Sequence, residues 1–399
     1  MKKNILLPFV LLFSFQIQAQ ILSADTFFNK GVLQNKNFEV TIPFEEKSGW
    51  IIFQIDINGK PKRFLFDTGA GISAIDKKVV SELSLQKIGN MNVKDANNSV
   101  AKQDFYEAQT LKLGEVIINN SPICIVDFPE IISCDGIEGI LGNNVINKFN
   151  WILDYETKKV TITDKRIEKE ENEKEFYYYL EQNRHHVNIL LGGDKFYNCS
   201  IDFGFNSTMI VPNSLFNQSI IKKINTGDIK AQISPSYGLL GKTTADTTFF
   251  LNIGDIQISE LIQDSIEVRL KKGNGTQILI GADFFSKYRI KLDNFNQRYI
   301  LSPAKKQVKT EKKRPIGLTW ENGKIIVERM FLCSSTILEG IKLNDEVNLI
   351  NNKSSKDFNS YCEFDKWIDL QDDLKIEFQN NKKIFIINKE TIRYMKDCK

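Results

Sequence analysis

The chain has 399 residues, 42% of them hydrophobic and 26% charged, with a formal net charge of +3. That length calls for more than one domain, and the composition is that of a folded protein. Near-neutral charge with lysines spread along the chain gives no electrostatic footprint for nucleic acid. In chain order, Lys2 and Lys3 precede an apolar run from Ile5 to Phe15, and Ala19 supplies a small residue before a cut. This reads as a signal peptide over 1–19, because the run is too short to span a bilayer. No later apolar run is long enough to span, so the expectation is an exported, soluble protein, periplasmic or extracellular, without a transmembrane anchor. Residues 20–45 read as a first strand and a polar tail.

Mostly β structure follows. Short or alternating apolar runs such as WIIFQIDI, FLF, KVTIT, FFLNI and RYILS lie between Gly, Asn and Asp turns. Short helices are expected at 76–83, 144–149 and 283–287. Charged stretches at 164–175 (DKRIEKEENEKE) and 304–314 (AKKQVKTEKKR) read as links.

The chain repeats itself. LKLGEVII at 111–118 matches LNIGDIQI at 251–258, and GILGNNVINKFNWILD at 139–154 matches ILIGADFFSKYRIKLD at 278–293. The two matches share a near-constant offset. Carried back, it places FLFDTGAGIS (64–73) opposite CSIDFGFNST (199–208), so that Asp67 and Gly69 correspond to Asp202 and Gly204. Each copy runs strand, turn, apolar strand, Asp-x-Gly, hairpins, and then two apolar residues and Gly. Duplicated context makes the recurrence of Asp-x-Gly more than a chance tripeptide.

These residues resemble a bilobal aspartic peptidase of the pepsin/retropepsin type, over roughly residues 45–303. The resemblance implies two homologous β-barrel lobes, at 20–165 and 175–303, with a cleft between them. It implies that Asp67 and Asp202 form the catalytic pair. Two close carboxylates share one proton, so that one activates water as a base and the other donates to the scissile carbonyl. No cofactor or metal is needed, and the substrate is a polypeptide. Gly69 and Gly204 allow close approach of the two loops. Thr68 is expected to hydrogen-bond across to the partner loop, and Ser73 to support the aspartate from behind. Phe203 stands where the second loop should carry Thr or Ser, so half of that lock is missing, with Ser207 or Thr208 as the replacements in reach. The competing reading is therefore a pseudo-peptidase that binds peptides without cutting them. Asp95 and Asn97, in the turn of NVKDANNSVAK, and Tyr237, in SPSYGLLGK, are the candidate flap residues. The duplication within one chain points to a monomer.

After the linker at 304–313, residues 334–352 (SSTILEGIKLNDEVNLINN) resemble a PDZ segment. Gly340, Leu343, Asp345, Val347, Ile350 and Asn351 fall on its matching positions. The resemblance implies a small α+β PDZ-like domain at 314–399. Ile316, Gly317 and Leu318 would then form the loop that captures a peptide C-terminus. Six cysteines (124, 134, 199, 333, 362 and 398) are too few for a disulfide scaffold, and no C-x-x-C suggests zinc. Cys124 with Cys134 would close a short loop, and two of the last three would staple the C-terminal region. His185 and His186, the only histidines, point to opposite faces of a strand and cannot chelate one metal together.

Overall fold

The computed structural model describes residues 24–47, 49–95, 97, 99–215, 229–271, 277–304, 313–333, 340–379 and 381–389. The signal segment, Cys398, most of the 304–313 link and residues 334–339 lie outside the described residues. The structure is mostly β. Residues 24–29, expected as strand or tail, form a short helix, and the short strand Val32–Leu33 and then Glu39–Pro43 follow it.

Strands Trp50–Ile57 and Lys60–Phe66 form an antiparallel hairpin. Asn58 and Gly59 turn it with φ of 50° and 83°, the left-handed pair that a tight hairpin requires and that Asn-Gly adopts at little cost. Phe64–Phe66 then runs parallel to Gly139–Leu141, which lies antiparallel to Ala74 and Ile75. Ala74–Asp76 is in turn parallel to Cys124–Val126. Asp67 therefore leaves a strand held on both sides of its end.

The second half repeats this weave. Ser200–Asp202 is parallel to Leu279–Gly281, Met209 and Ile210 run antiparallel to Ile280 and Leu279, and Ile210–Pro212 is parallel to Arg269–Lys271. The expected helical turns appear as Lys77–Glu82, Asn143–Ile146 and Ala282–Phe285. A six-stranded sheet takes strands from both halves, with Trp151 opposite Leu292 and Leu153 opposite Ile290. Its inner face carries part of one continuous apolar core in which Phe66, Trp151, Phe203, Phe285 and Tyr299 are all buried. Burial of such rings is the largest favourable term available to each half, and here the halves share it.

The C-terminal unit has its own core, built on Ile325, Val327, Ile350, Phe364, Ile376 and Phe385. Its helix Tyr361–Asp369 is capped by Ser360, whose side chain accepts from the Glu363 N–H. The unit is not a bead on a string. Strand Lys324–Phe331 pairs with Lys230–Ser234 of the second half, placing Ile233 opposite Met330, and the Leu332 N–H donates to the Ala231 carbonyl at 2.8 Å. A disulfide joins Cys134 of the first half to Cys362 in the helix. Of the pairings the sequence left open, Cys124 with Cys134 is therefore not the one formed. Cys124 and Cys199 are free thiols buried in strands, and Cys134 lies in a turn facing the C-terminal unit. Cys333 is also disulfide-bonded.

Candidate active site

Asp67 and Asp202 end equivalent strands and meet at the seam between the halves. Their carboxyl groups hydrogen-bond each other. Each loop needs its glycine because of the other aspartate. A Cβ on Gly69 would lie 2.4 Å from Asp202 Cγ, and one on Gly204 would lie 2.5 Å from Asp67 Cγ. Both distances are far inside van der Waals contact, so any other residue would force the loops apart.

Backbone donors cradle each carboxylate. Asp67 Oδ1 accepts from the N–H of Gly69 at 2.8 Å and of Ala70 at 3.2 Å. Asp202 Oδ1 accepts from Phe205 N–H at 3.1 Å. These bonds favour the charged form but do not prevail. Loss of water by burial is the largest effect on each side chain and raises both. The Asp202 charge pushes Asp67 further, well above the ordinary carboxylate range. On Asp202 the rise is smaller, because its bond from Asp67, its backbone donors and the nearby positive charge of Arg184 all oppose it. Two carboxyls in contact at low dielectric hold one proton between them and titrate as a pair.

Thr68 and Phe203 follow the two aspartates and are both buried. The Thr68 hydroxyl donates to the Ile201 carbonyl at 2.7 Å and accepts from Phe203 N–H at 3.2 Å, so one side chain binds the opposite loop twice. Phe203 makes no such polar link from its ring. It packs edge-on against Phe66 at 5.6 Å and stacks on Phe285 at 5.0 Å, tying the two loops through the shared core. A further side chain of the first half that reaches the second loop is Trp50, whose indole N–H donates to the Gly204 carbonyl at 2.8 Å. Ser207 and Thr208 are the sequence's candidates for the reverse bond, from the second loop to the first; the Trp50 bond runs the same way as those of Thr68, and its spacing in the chain does not announce it.

Ser73 bonds to the segment 142–144. Its hydroxyl donates to Asn144 Oδ1 at 2.8 Å and accepts from Gly142 N–H at 3.0 Å. Asn144 Oδ1 also takes the Ser73 N–H, and its amide donates to the Pro122 carbonyl at 3.0 Å. The Asn143 amide donates to the Thr68 carbonyl at 2.7 Å, while Asp67 N–H donates to Leu141. Residues 141–144 thus bolt the first loop down. The second loop has the backbone half of this: Ala282 N–H donates to the Phe205 carbonyl, and Gly281 N–H to Thr208. Asn143 and Asn144 carry a signal in the sequence, two polar residues directly after an apolar-Gly segment, but chain position alone marks only the start of the helix expected at 144–149.

The candidate flap segments of the two halves bond to each other. Asp95 Oδ1 accepts from Asn97 and Ser99 N–H, closing its own turn, while Oδ2 accepts from Leu240 N–H at 3.2 Å. The Tyr237 hydroxyl donates to Glu328 of the C-terminal unit. In that unit Ile316 is buried in the core, Gly317 has the Arg329 guanidinium over it, and Leu318 is half-buried. The histidines are structural. His185 Nδ1 pairs with Tyr299 at 2.6 Å and Nε2 with Asn147 at 2.7 Å, and burial lowers its pKa to about 3, so it stays neutral.

Residues 53–145 match the family model described as aspartyl protease. No curated protein matches the chain. Among solved structures, that titled "Crystal structure of Basic 7S globulin from soybean" is similar with a TM-score of 0.41 and 11% identity, over 67% of this chain and 96% of that one. Over 53–145, the stretch that carries Asp67 and the Gly142–Asn144 support beneath it, the chain is similar to the aspartyl proteases and is peptidase-like at that level.

Proposed function

We propose that the chain is an exported aspartic endopeptidase of two lobes, with Asp67 and Asp202 as its catalytic pair. The observation that carries this is reciprocal: each loop's glycine is required by the other loop's carboxylate, and the carboxyls hydrogen-bond each other. The raised pair supplies both an acid and a base near one point. A water held between the carboxyls loses a proton to the ionised one as its oxygen attacks the scissile carbonyl. The protonated carboxyl gives its proton to the carbonyl oxygen. Collapse of the resulting diol moves a proton to the amine and restores the shared one. Thr68 and Trp50 hold the loops in register while this happens, and no covalent intermediate is needed.

Export fits the basic and apolar N-terminus, together with a disulfide that persists in oxidising compartments. Because one chain supplies both aspartates, a monomer suffices. The C-terminal unit reads as PDZ-like: helix Tyr361–Asp369 lies beside strand Ile316–Glu321, whose edge would take a peptide C-terminus as an added strand.

Hydrolysis of an unfolded protein, followed by release of new amino termini, tests the main reading. Asp67→Asn and Asp202→Asn should each lower the rate by at least about 10³-fold, the scale of a lost general acid or base. Undiminished hydrolysis in either variant overturns it.

A further inference from the structure

The segment that follows strand Lys230–Ser234 is a tight hairpin in which Tyr237 and Gly238 pair with Lys242 and Gly241. It is closed at its base by Ser236 and Thr243, which exchange bonds of 2.9 and 3.0 Å. Its tip is Leu239-Leu240. In a solvated hairpin these two apolar side chains would face water. Here they pack against the apolar cluster of the first half, against which Trp50, Ala70, Ile72, Met91 and Val93 also pack. Ala70 and Ile72 belong to the Asp67 loop, and Met91 and Val93 to the hairpin that carries Asp95. The second half thus lays two leucines on the same apolar cluster that the candidate catalytic loop packs against.

Polar contacts fix that position. Asp95 Oδ2 takes the Leu240 N–H, and the Asn97 amide reaches the Ser236 carbonyl at 3.5 Å. The approach is close enough that a Cβ on Gly238 would sit 2.3 Å from Asp95 Oδ2. On its other side the hairpin is strapped to the C-terminal unit. Tyr237 donates to Glu328, and Lys242 pairs with Glu321 at 2.5 Å and with Glu328 at 3.6 Å. The strand leading into the hairpin is itself paired to the strand that bears Glu328. Movement of the C-terminal unit must therefore be felt by the hairpin.

We infer that the Tyr237–Lys242 hairpin is an internal surrogate for substrate, covering the apolar wall beside Asp67, and that Glu321 and Glu328 of the C-terminal unit latch it there. This rests on the peptidase reading of the aspartate pair and adds two things to it. The wall takes a strand with consecutive bulky aliphatic side chains, the chemistry it now holds in Leu239 and Leu240. Access to that wall is governed by the C-terminal unit, because substrate and hairpin compete for the same surface.

The test uses the full chain with Glu321→Gln and Glu328→Gln combined, and Gly238→Ala as a second variant that dislodges the hairpin from the Asp95 side. Hydrogen exchange over 235–243 reads the latch. Stopped-flow association of a peptide with leucine on both sides of a hydroxyl-bearing, uncleavable isostere reads access. Loss of one charge-assisted bond and the surface ion pairs should speed both by about tenfold in the double variant. Lys324→Gln, which breaks a surface pair elsewhere in the same unit, should change neither. Unchanged exchange over 235–243 in both opened variants overturns the latch, whatever the isostere does. Faster exchange with unchanged association overturns the covering role. Failure of the isostere to bind any variant, with no hydrolysis, counts against the peptidase reading instead, and exchange still decides the latch.

Discussion

Thr68 and Phe203 occupy equivalent turns and hold them by different physics. Thr68 contributes two directed bonds across the seam; Phe203 contributes buried ring area between Phe66 and Phe285. Phe203→Ala should therefore cost about 3–5 kcal/mol of stability, as for other buried Phe truncations, read by denaturant titration. Trp50→Phe keeps most of the ring packing but loses the donor to Gly204. It should cost only about 1 kcal/mol in stability, while lowering kcat more than it changes KM and leaving the shape of the pH profile intact. An equal loss of kcat in a variant that preserves the donor would count against positioning through that bond. The aspartates give a pH signature. Both are raised in the folded state, so between the ordinary carboxylate pKa of about 4 and the raised folded values the native state binds more protons than the unfolded chain. Their contribution to stability is fully present below that ordinary value and is lost as pH rises through the folded pKa. Asp67→Asn should be more stable than the parent at neutral pH and gain least at pH 3, in paired melts.

At the scale of elements, the Asp67 loop depends on the turn Asn143–Ile146 for support more than on its own residues. Asn144 is buried and joins Ser73 and Pro122 through three hydrogen bonds. Asn144→Leu strands those partners without water, so a loss of about 2–4 kcal/mol is expected from calorimetric melting. The hairpin Trp50–Phe66, by contrast, was readable locally. Alternating apolar residues, Asn-Gly at the turn and the apolar run FLF specify it with no help from the rest of the chain. The helical turns after each apolar-Gly segment were readable for the same reason. What the spacing did not convey was direction: it placed Asn143 and Asn144 on a helix start but not under the loop they hold.

Across the whole molecule, the C-terminal unit bridges both halves, by a disulfide to one and by strand pairing to the other. The bond between Cys134 and Cys362 spans 228 residues of sequence, so Cys134→Ser with Cys362→Ser should cost about 2–4 kcal/mol and lower the melting temperature under non-reducing conditions. A single unchanged melt would show the unit docked by its strand alone. The sequence by itself determined the mostly β class and the likeness to aspartyl proteases in the stretch around Asp67. Those features are written in local periodicity and spacing. Only the tertiary structure decided which cysteines pair, that Trp50 reaches Gly204, and that the 237–242 hairpin lies against the first half and is tied to the C-terminal unit. Each of these joins residues far apart in sequence, where chain spacing places no limit on which side chains meet and only the packing of three cores does.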